Sequence, residues 1–458
     1  MIDKDISICI IIVDALRADH LSCYGYEHQT SPNIDAVSKN SVLFHNAISQ
    51  SNWTYSSLYS LISGRYPSVH RITWFDQIIN GSFITLPEIL QEHGYHTAIF
   101  SSFKTLINPS TFGKHFKETR LMNIDEDPLQ FMSNWFKKNR RSFSIFHIGD
   151  YVHEPYFADK KYIDMFYDGG YEDLKFDDTL NSLISTYTKG LGDKMRDINR
   201  KLNLRIKRLT KKQLSYVIAC YDAGIYYVDK FIGRFYEILR SKIKNYLFII
   251  TADHGQCFFE HGFYGHGLHL FDEVIRVPLI VDMNQDSRGI IIEPTQHIDI
   301  FPTILELLGL ESEIKKLDGI PFTQVFSSKG TELNNRFAIS ESHPFISIQN
   351  KTHKLITTHF RLQKNESRLK ELYSNLKNKN IRRFIFNSYA LLSPDKLYNI
   401  QKDTVERNNV KRQDKLEYKL LTEQLKTIFK NTQKEGLSPV TVSMEDDIKQ
   451  QLRNLGYM

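Results

Sequence analysis

An uninterrupted apolar run near the start of the chain is followed directly by an acidic residue. Residues 6–13 read ISICIIIV, and Asp14 follows directly. A short run rich in isoleucine is typical of a strand buried on both faces, as in a parallel sheet covered by helices. It is too short to span a membrane. The sequence therefore predicts an α/β protein.

Similar runs alternate with helical patterns along most of the chain. Strands are predicted at residues 6–13, 96–101, 142–148, 246–251 and 278–281, and helices at residues 31–39, 86–93 and 302–308. Strands that alternate with helices in this way build a parallel sheet with helices on both faces. We therefore expect a mostly parallel central sheet between two helical layers.

The length of 458 residues, with 41% hydrophobic residues, allows a large core and is too great for one simple layer. Two regions depart from the alternation. Residues 156–214 are polar, aromatic and basic, which predicts an insertion near the mouth of the site. From about residue 331 the pattern changes to short strands and basic helices, including residues 364–383. We therefore expect a main domain at residues 1–330 and a smaller α+β subdomain at residues 331–458.

The formal charge of +6 is mild for a chain of this length, but it is concentrated locally. Residues 189–212 contain ten basic residues and two acidic ones. This stretch is either a solvated helix face or a lid or docking surface for an anionic polymer or membrane. The charge suits an anionic substrate, and nucleic acid is not expected as a partner.

The four cysteines, Cys9, Cys23, Cys220 and Cys257, are scattered and none has CxxC spacing. Such cysteines are typical of reduced thiols, and no signal peptide precedes the first strand. The sequence therefore predicts a cytoplasmic location. It gives no indication of the oligomeric state.

Acidic and imidazole side chains follow three of the predicted strands. Asp14 follows the first, Asp150 and His153 follow SFSIFHI, and Asp253 and His254 follow YLFIIT. Ligands of parallel sheets bind beyond the carboxyl ends of the strands. Asp253 and His254 can reach one divalent cation there, and Asp14 can add a third ligand. Oxygen and nitrogen ligands suit Zn, Mn or a similar ion.

Thr54 begins a helical pattern that continues with Leu58, Leu61 and Ile62. Backbone N–H groups and the helix dipole favour anions at such a position. If the Thr54 hydroxyl also touches the cation, it can act as a nucleophile near neutral pH. The alternative is that Thr54 is only a helix N-cap.

His153 and His266 lie in loops that contain glycine or proline, in the segments HEPY and YGHGL. Taken singly, each is as well explained as an ordinary surface or buried histidine. Together with the strand-end acids, they are candidates to hold the substrate's oxygen atoms or to protonate a leaving group.

The order of these motifs resembles the sulfatase family within the alkaline phosphatase superfamily over nearly the whole chain. The segments that carry the resemblance are DALRADHLSCYGY, TSPNIDAVSKNSVLFHNAIS, SNWTYSSLYSLISGRYP, HIGDYVHEPY, TADHGQCFFEHG, RVPLIV, HIDIFPTILELLGL, LDGIPF, LYNIQKDTVERNN and LRNLGYM. The resemblance implies a three-layer, alkaline phosphatase-like sandwich whose catalytic domain is residues 1–330. It also implies one divalent ion (Zn, Mn, Ca or Mg) that is held by Asp14, Thr54, Asp253 and His254.

The chain departs from the family pattern at the positions that carry the chemistry. Thr54 stands where the family has the cysteine or serine that matures to formylglycine, and Leu58 where it has an arginine. Ala15 replaces a second metal-binding aspartate, and the segment GYHTAIFSSF lacks the family's Lys and His. This combination resembles the threonine-dependent branches of the superfamily, which transfer or hydrolyse phosphoryl groups. The resemblance therefore implies a phospho-threonine intermediate on Thr54, with His153 and His266 as further catalytic residues.

Three functions are compatible with this pattern. The first is hydrolysis or transfer of a phosphodiester or monoester group on a glycan, lipid head group or small metabolite, which residues 156–214 would select. The second is sulfuric ester hydrolysis by Thr54 without formylglycine. The third is a catalytically inactive homologue that binds a glycan or a partner protein.

Overall fold

The computed structural model describes most of the chain. The described residues are 6–79, 81, 83–126, 128–156, 159–172, 174–184, 202–203, 208–283, 288–326, 333–362, 392–436 and 438–454. Most of the basic stretch at residues 189–212 and the predicted basic helices at residues 364–383 lie outside these ranges.

An eight-stranded sheet forms the centre of the molecule. Its strands are β1 Ser7–Val13, β2 Val42–Phe44, β3 His96–Ser101, β4 Glu118–Leu121, β5 Ser142–Ile148, β6 Tyr246–Ala252, β7 Leu279–Asp282 and β8 Gly289–Ile291. Their order across the sheet is β8-β2-β7-β6-β1-β5-β3-β4. The five strands from β6 to β4 in this order are parallel, and β7 runs antiparallel to both of its neighbours.

The strand β1 is buried along its whole length between β5 and β6. Its last residue, Val13, pairs with Ile148 on one side and Ala252 on the other. The carboxyl ends of the three central strands therefore coincide. This register brings the residues that follow β1 and β6, namely Asp14 and Asp253, out at the same edge of the sheet.

Helices pack on the sheet in two groups. The longer ones are α1 Pro32–Ser38, α2 Thr54–Ser63, α3 Leu86–Glu92, α4 Leu129–Lys138, α5 Lys211–Lys242, α6 Ile300–Leu307 and α7 Lys415–Glu435. Single turns and short helices are Pro67–His70, Lys104–Ile107, Lys160–Ile163, Asp178–Leu183, Asp272–Ile275 and His359–Leu362, and a nine-residue helix, Asp446–Asn454, follows α7. The helices α1 and α4 pack against α5, whereas α3 and α6 pack against α2.

Local sequence signals explain where several helices begin. Thr210 and Gln213 form a capping box at the start of α5, and Thr85 and Glu88 form another at the start of α3. In each box, side chains satisfy backbone N–H groups that the first helical turn leaves unpaired. Pro32 occupies the first turn of α1, where its missing N–H costs nothing.

A second, antiparallel sheet follows the main one. Its strands are β9 Ala338–Ser342, β10 Phe345–Gln349, β11 His353–Thr358 and β12 Lys396–Asn399, paired in that order. The helix α7 packs on this sheet and on the helix Pro67–His70. Buried side chains at this contact include Val69, Ile346 and Leu421. The sheet and α7 together form the smaller α+β unit, while the boundaries at residues 156–214 and 331 remain predictions.

The strands and helices that were predicted within the described residues are present, with ends within two residues of those expected. The prediction of a mostly parallel sheet is confirmed, but β7 does not continue the parallel series. Residues 253–278 contain a short hairpin, Cys257–Phe258 with Tyr264–Gly265, the one-turn helix Asp272–Ile275, and the two-residue strand Arg276–Val277, which pairs with Ala47–Ile48 outside the central sheet. Without a crossover helix the chain returns from the carboxyl end of β6, which makes its next strand antiparallel.

Among the helices within the described ranges, none is both long enough and apolar enough to cross a membrane. All four cysteines are free thiols. The cytoplasmic location remains a prediction.

Candidate active site

Asp253 is fixed in place by two backbone N–H groups. The amide of Ala15 donates to its Oδ1 atom over 3.2 Å, and the amide of His254 donates to the same atom over 2.8 Å. Ala15 reaches this position with a φ of 59°, and its carbonyl accepts a hydrogen bond from the hydroxyl of Tyr221 on α5. Because Oδ1 is occupied twice, Oδ2 is the oxygen that remains available for a ligand.

His254 points one ring nitrogen at both carboxylates. Its Nε2 atom lies 3.5 Å from Oδ1 of Asp14 and 3.5 Å from Oδ2 of Asp253. The Nδ1 atom lies 2.8 Å from the carbonyl oxygen of Gly255. A carbonyl oxygen can only accept, so the imidazole proton belongs on Nδ1, and Nε2 directs a lone pair toward the carboxylates. This is the tautomer that a metal ligand requires.

The three side chains are deeply buried: Asp14 is 5% exposed, and Asp253 and His254 are 0% exposed. In the described part of the chain, neither Oδ1 of Asp14 nor Oδ2 of Asp253 has a hydrogen-bond partner. Burial, and then the negative charges of Asp253 and Asp150, raise the pKa of Asp14 well above its ordinary value. Unpaired carboxylate oxygens next to an imidazole lone pair fit a divalent cation, which would remove this electrostatic cost.

Thr54 lies beside this group of ligand atoms. Its Oγ1 atom is 3.3 Å from Nε2 of His254, and the residue is 0% exposed. Thr54 is the first residue of α2, and Trp53 occupies the N-cap position without a side-chain capping bond. The alternative in which Thr54 serves as the N-cap is therefore wrong. The hydroxyl lies at the positive end of a ten-residue helix, where negative charge is stabilised.

The loop before α2 and the first turn of α2 are both hydrogen-bonded to the main chain of Asp253. The hydroxyls of Ser49 and Ser57 both donate to the carbonyl oxygen of Asp253, over 2.5 and 2.7 Å. These bonds explain how a residue at position 54 is held next to a residue at position 254. Leu58, which replaces the family's arginine, is buried in the hydrophobic core.

His153 and His266 lie next to the same group. The ring of His266 is 4.4 Å from that of His254 and 5.1 Å from that of His153. Nδ1 of His153 faces the carbonyl oxygen of Glu154, and Nδ1 of His266 faces the side-chain carbonyl oxygen of Gln256. Burial, and then the neighbouring His254, lower the pKa of His153 to about 4, and the pKa of His266 is also held below its ordinary value.

The structure thus brings together all six predicted site residues, Asp14, Thr54, His153, Asp253, His254 and His266. Asp150, which the sequence also placed at a strand end, lies at the surface. It raises the pKa of Asp14 through its charge but does not belong to the set of ligand atoms.

Two histidines near this site were missed by sequence reasoning. Nε2 of His147 lies 3.8 Å from Oδ2 of Asp14 and has no hydrogen-bond partner in the described residues. His147 is buried inside β5, next to β1, and pairs with Ile12. His297 lies near Asp253 and contacts Ser57 and Thr251. A histidine within an otherwise apolar strand is the signal that could have identified His147.

The chain is similar in sequence to sulfatases. The family model described as Sulfatase matches residues 7–310. Over 95 residues the chain is 40% identical to iduronate 2-sulfatase of Mus musculus, a segment that is 20% of this chain and only 17% of that enzyme. Over 387 residues it is 21% identical to N-acetylglucosamine-6-O-sulfatase of Bacteroides thetaiotaomicron, covering 67% of this chain and 68% of that protein.

The fold is shared with solved structures as well. The crystal structure of the phosphonate monoester hydrolase of Agrobacterium radiobacter superimposes with a TM-score of 0.65 at 17% identity, covering 96% of this chain and 100% of that chain. The architecture expected from the resemblance is confirmed, and the family match extends over more than half of the residues. The chain therefore belongs to the sulfatase family of the alkaline phosphatase superfamily.

Proposed function

We propose that this chain is a metal-dependent hydrolase or transferase that acts on phosphate esters, with Thr54 as its nucleophile. One observation carries the proposal: a fully buried hydroxyl lies 3.3 Å from the ring nitrogen that, together with two buried carboxylates, forms the candidate metal site. A threonine cannot supply the aldehyde hydrate of formylglycine. Its hydroxyl can attack phosphorus directly.

Asp14, Asp253 and His254 would hold the divalent ion, with the Thr54 hydroxyl next to it. The bound ion would supply positive charge that lowers the pKa of the hydroxyl and offsets the charge of the phosphoryl oxygens. The N-terminus of α2 favours the same negative charge. The substrate class is a phosphodiester or monoester on a glycan, a lipid head group or a small metabolite.

The reaction has two steps. The Thr54 oxygen attacks phosphorus, the Oγ1–P bond forms, and the P–O bond to the leaving alcohol breaks. The hydroxyl proton passes through His153 or His266 to the leaving oxygen. Water, or an acceptor alcohol, then attacks the phospho-threonine, which releases the phosphoryl group and restores the hydroxyl of Thr54.

The neutral state of the two imidazoles suits this proton transfer. Their pKa values are lowered by burial, so each can accept a proton at neutral pH. An anionic ester next to them raises their pKa, which prepares them to return the proton to the leaving group. Nδ1 of each imidazole faces a carbonyl oxygen, so the ring proton of the neutral state belongs on that nitrogen.

Sulfuric ester hydrolysis by Thr54 is the second candidate, and the sequence similarity to sulfatases favours it. An inactive homologue that binds a glycan or partner protein is the third. The unpaired carboxylate oxygens argue against it, because a binding module has no use for buried carboxylates that only a cation satisfies.

Turnover of aryl phosphodiesters, phosphomonoesters and sulfates separates the candidates. We expect turnover of a phosphate ester, loss of at least about 10³-fold in Thr54→Ala, and partial activity in Thr54→Ser. Ser56→Ala, in the same turn of α2, is the control and should keep full activity. Mass spectrometry of the quenched reaction should find one phosphoryl group on the peptide that contains Thr54. Turnover of the aryl sulfate alone would support the second candidate. Unchanged activity of Thr54→Ala would show that Thr54 is not the nucleophile.

A further inference from the structure

A second group of ligand-type side chains lies immediately beyond the active site. Sγ of Cys257 is 3.1 Å from Nε2 of His269 and 3.4 Å from Oε1 of Glu273. The three ligand atoms all lie within 4.8 Å of one another, and all three residues are buried. None of them belongs to the candidate metal site of Asp14, Asp253 and His254.

Backbone pairing holds Cys257 and Glu273 next to each other. Cys257 lies in the short hairpin formed by Cys257–Phe258 and Tyr264–Gly265, and Glu273 lies in the helix Asp272–Ile275. The amide of Gln256 donates to the carbonyl oxygen of Glu273, and the amide of Gly255 donates to that of Val274. These bonds clamp the helix onto the segment that precedes Cys257, so the ligand atoms converge without any rearrangement of the chain.

The separations fit a tetrahedral metal site. With Zn–S bonds of about 2.3 Å and Zn–N or Zn–O bonds of about 2.0–2.2 Å, neighbouring ligand atoms of a tetrahedron lie about 3.3–3.8 Å apart. The Sγ–Oε1 distance of 3.4 Å falls in this range, and the Sγ–Nε2 distance of 3.1 Å needs only a small expansion. Cysteine, histidine and carboxylate together select zinc-like ions over Ca²⁺ or Mg²⁺.

The surroundings match those of a metal site as well. Nδ1 of His261 lies 2.7 Å from Oε1 of Glu273, and its Nε2 lies 3.1 Å from the carbonyl oxygen of Glu406. His261 therefore orients the ligating carboxylate, as outer hydrogen-bond partners do in metal sites. The nearby buried cation Lys354 is neutralised by Asp272 and Glu406.

The protonation states are compatible with binding. Burial lowers the pKa of His269 to about 3, so its imidazole is neutral and able to ligate at neutral pH. Burial, and then the charge of Glu273, raise the pKa of the Cys257 thiol, so an incoming ion must displace the thiol proton. The same thiol is too protonated to act as a nucleophile.

We propose that Cys257, His269 and Glu273 form a second, structural metal site that takes Zn²⁺ or another thiophilic divalent ion. An ion there would join the hairpin to the helix Asp272–Ile275. Cys257, in the hairpin, lies three residues after the proposed active-site ligand His254. The side-chain amide of Asn52 donates to the carbonyl oxygen of His269 over 2.7 Å, which connects the same site to the loop before Thr54. The segment that contains His254 and the loop before Thr54 are therefore both connected to this cluster.

Cobalt titration tests the proposal, because only the second site contains a thiol. Chelator-treated protein should bind two equivalents of Co²⁺, one of them with a thiolate-to-cobalt charge-transfer band in the near ultraviolet. Cys257→Ser should lose this band and one equivalent. Asp14→Asn should keep the band and lose the other equivalent, and Cys23→Ser should keep both. Circular dichroism and a melting curve check that each variant is folded.

His269→Gln serves as the second variant if Cys257→Ser does not fold, and it should bind the ion at least about 10-fold more weakly. Absence of the charge-transfer band in the folded wild-type protein overturns the proposal, as does a band that persists in Cys257→Ser. Such a result would mean that a proton alone links Cys257 to its neighbours. The cobalt spectrum does not depend on catalytic turnover, so it is independent of the proposed function.

Discussion

Nε2 of His254 and Oδ1 of Asp14 lie 3.5 Å apart, although the strands that they follow, β6 and β1, are far apart in the sequence. The pairing of β1 with β6 produces this contact, because their last residues, Val13 and Ala252, are in register. Neighbouring parallel strands that end together can place an acid and an imidazole around one ion.

Asp14→Asn should not reduce the stability of the metal-free protein, but it should reduce the stability that is gained on adding metal. Removing a buried charge beside Asp253 should leave the metal-free variant at least as stable as the metal-free wild type. The wild type should gain about 2.7 kcal/mol at a hundredfold excess of Mn²⁺ over its dissociation constant, and the variant should gain far less. Thermal or denaturant unfolding measures both. Asp282→Asn, at a buried aspartate bonded to Tyr236 and Tyr246, should retain the gain; an equal gain in Asp14→Asn would contradict the ligand role.

His147→Asn should weaken metal binding even though His147 was not predicted as a ligand. Its Nε2 atom faces Asp14, so its loss should disturb that carboxylate and lower the Mn²⁺ affinity about 10–100-fold. Isothermal titration measures the affinity. His115→Asn is the matched control, since His115 is also buried and its Nδ1 contacts Glu88 instead of Asp14. Equal affinities for the two variants would rule out a contribution of His147.

Gly255→Ala should damage the site through the backbone alone. A Cβ atom at position 255 would lie 2.2 Å from the carbonyl oxygen of Glu273, so the paired segments must move apart. We expect a loss of about 1–3 kcal/mol in stability, together with weaker metal binding. Gly81→Ala is the control, because no atom lies within 4 Å of a Cβ at that position. Unchanged unfolding of Gly255→Ala would show that this close approach is not required.

Glu341→Gln should flatten the dependence of stability on pH. Burial raises the pKa of Glu341 from 4.5 to about 8, while Ser68 donates to Oε1 over 2.9 Å. Between these two values the native state binds more protons than the unfolded state. The contribution of Glu341 is therefore fully present below pH 4.5 and is lost as the pH rises through about 8, at up to about 1.4 kcal/mol for each pH unit.

Denaturant unfolding at pH 5, 6, 7 and 8 measures this slope. The glutamine keeps an acceptor for Ser68 and does not ionise, so its advantage over the wild type should grow with pH. Glu311→Gln, at an exposed glutamate, is the control and should follow the wild type. Parallel curves for Glu341→Gln and the wild type would mean that Glu341 is not protonated in the native state.

The sheet and the positions of the candidate ligands at the strand ends were predictable because their signals are local. The apolar runs before Asp14 and Asp253 each predict a buried strand and mark where it ends. Because ligands of parallel sheets bind beyond the carboxyl ends of the strands, both aspartates were expected at the binding site. The direction of β7 was not predictable in this way. It depends on the absence of a crossover helix in residues 253–278, and the length of that segment is compatible with either direction.

The contacts that were missed depend on register and on hairpin geometry. His147 reaches Asp14 only because β5 lies next to β1, a neighbour relationship that no short segment encodes. Cys257 and His269 have no spacing typical of metal ligands, and a hairpin that is closed by backbone pairing brings them together. Sequence reasoning finds such pairs only when the order of strands and the turn of each hairpin are already known.

The loop after β1 is shaped by its main chain and not by the side chain at position 15. The amide and carbonyl of Ala15 are both engaged, and its φ of 59° is one that aspartate and asparagine tolerate better than alanine does. Exchange of this one residue could therefore add or remove a carboxylate without rebuilding the loop. During divergence within the family, the number of charges around the candidate metal site could change by single codon substitutions on an unchanged fold.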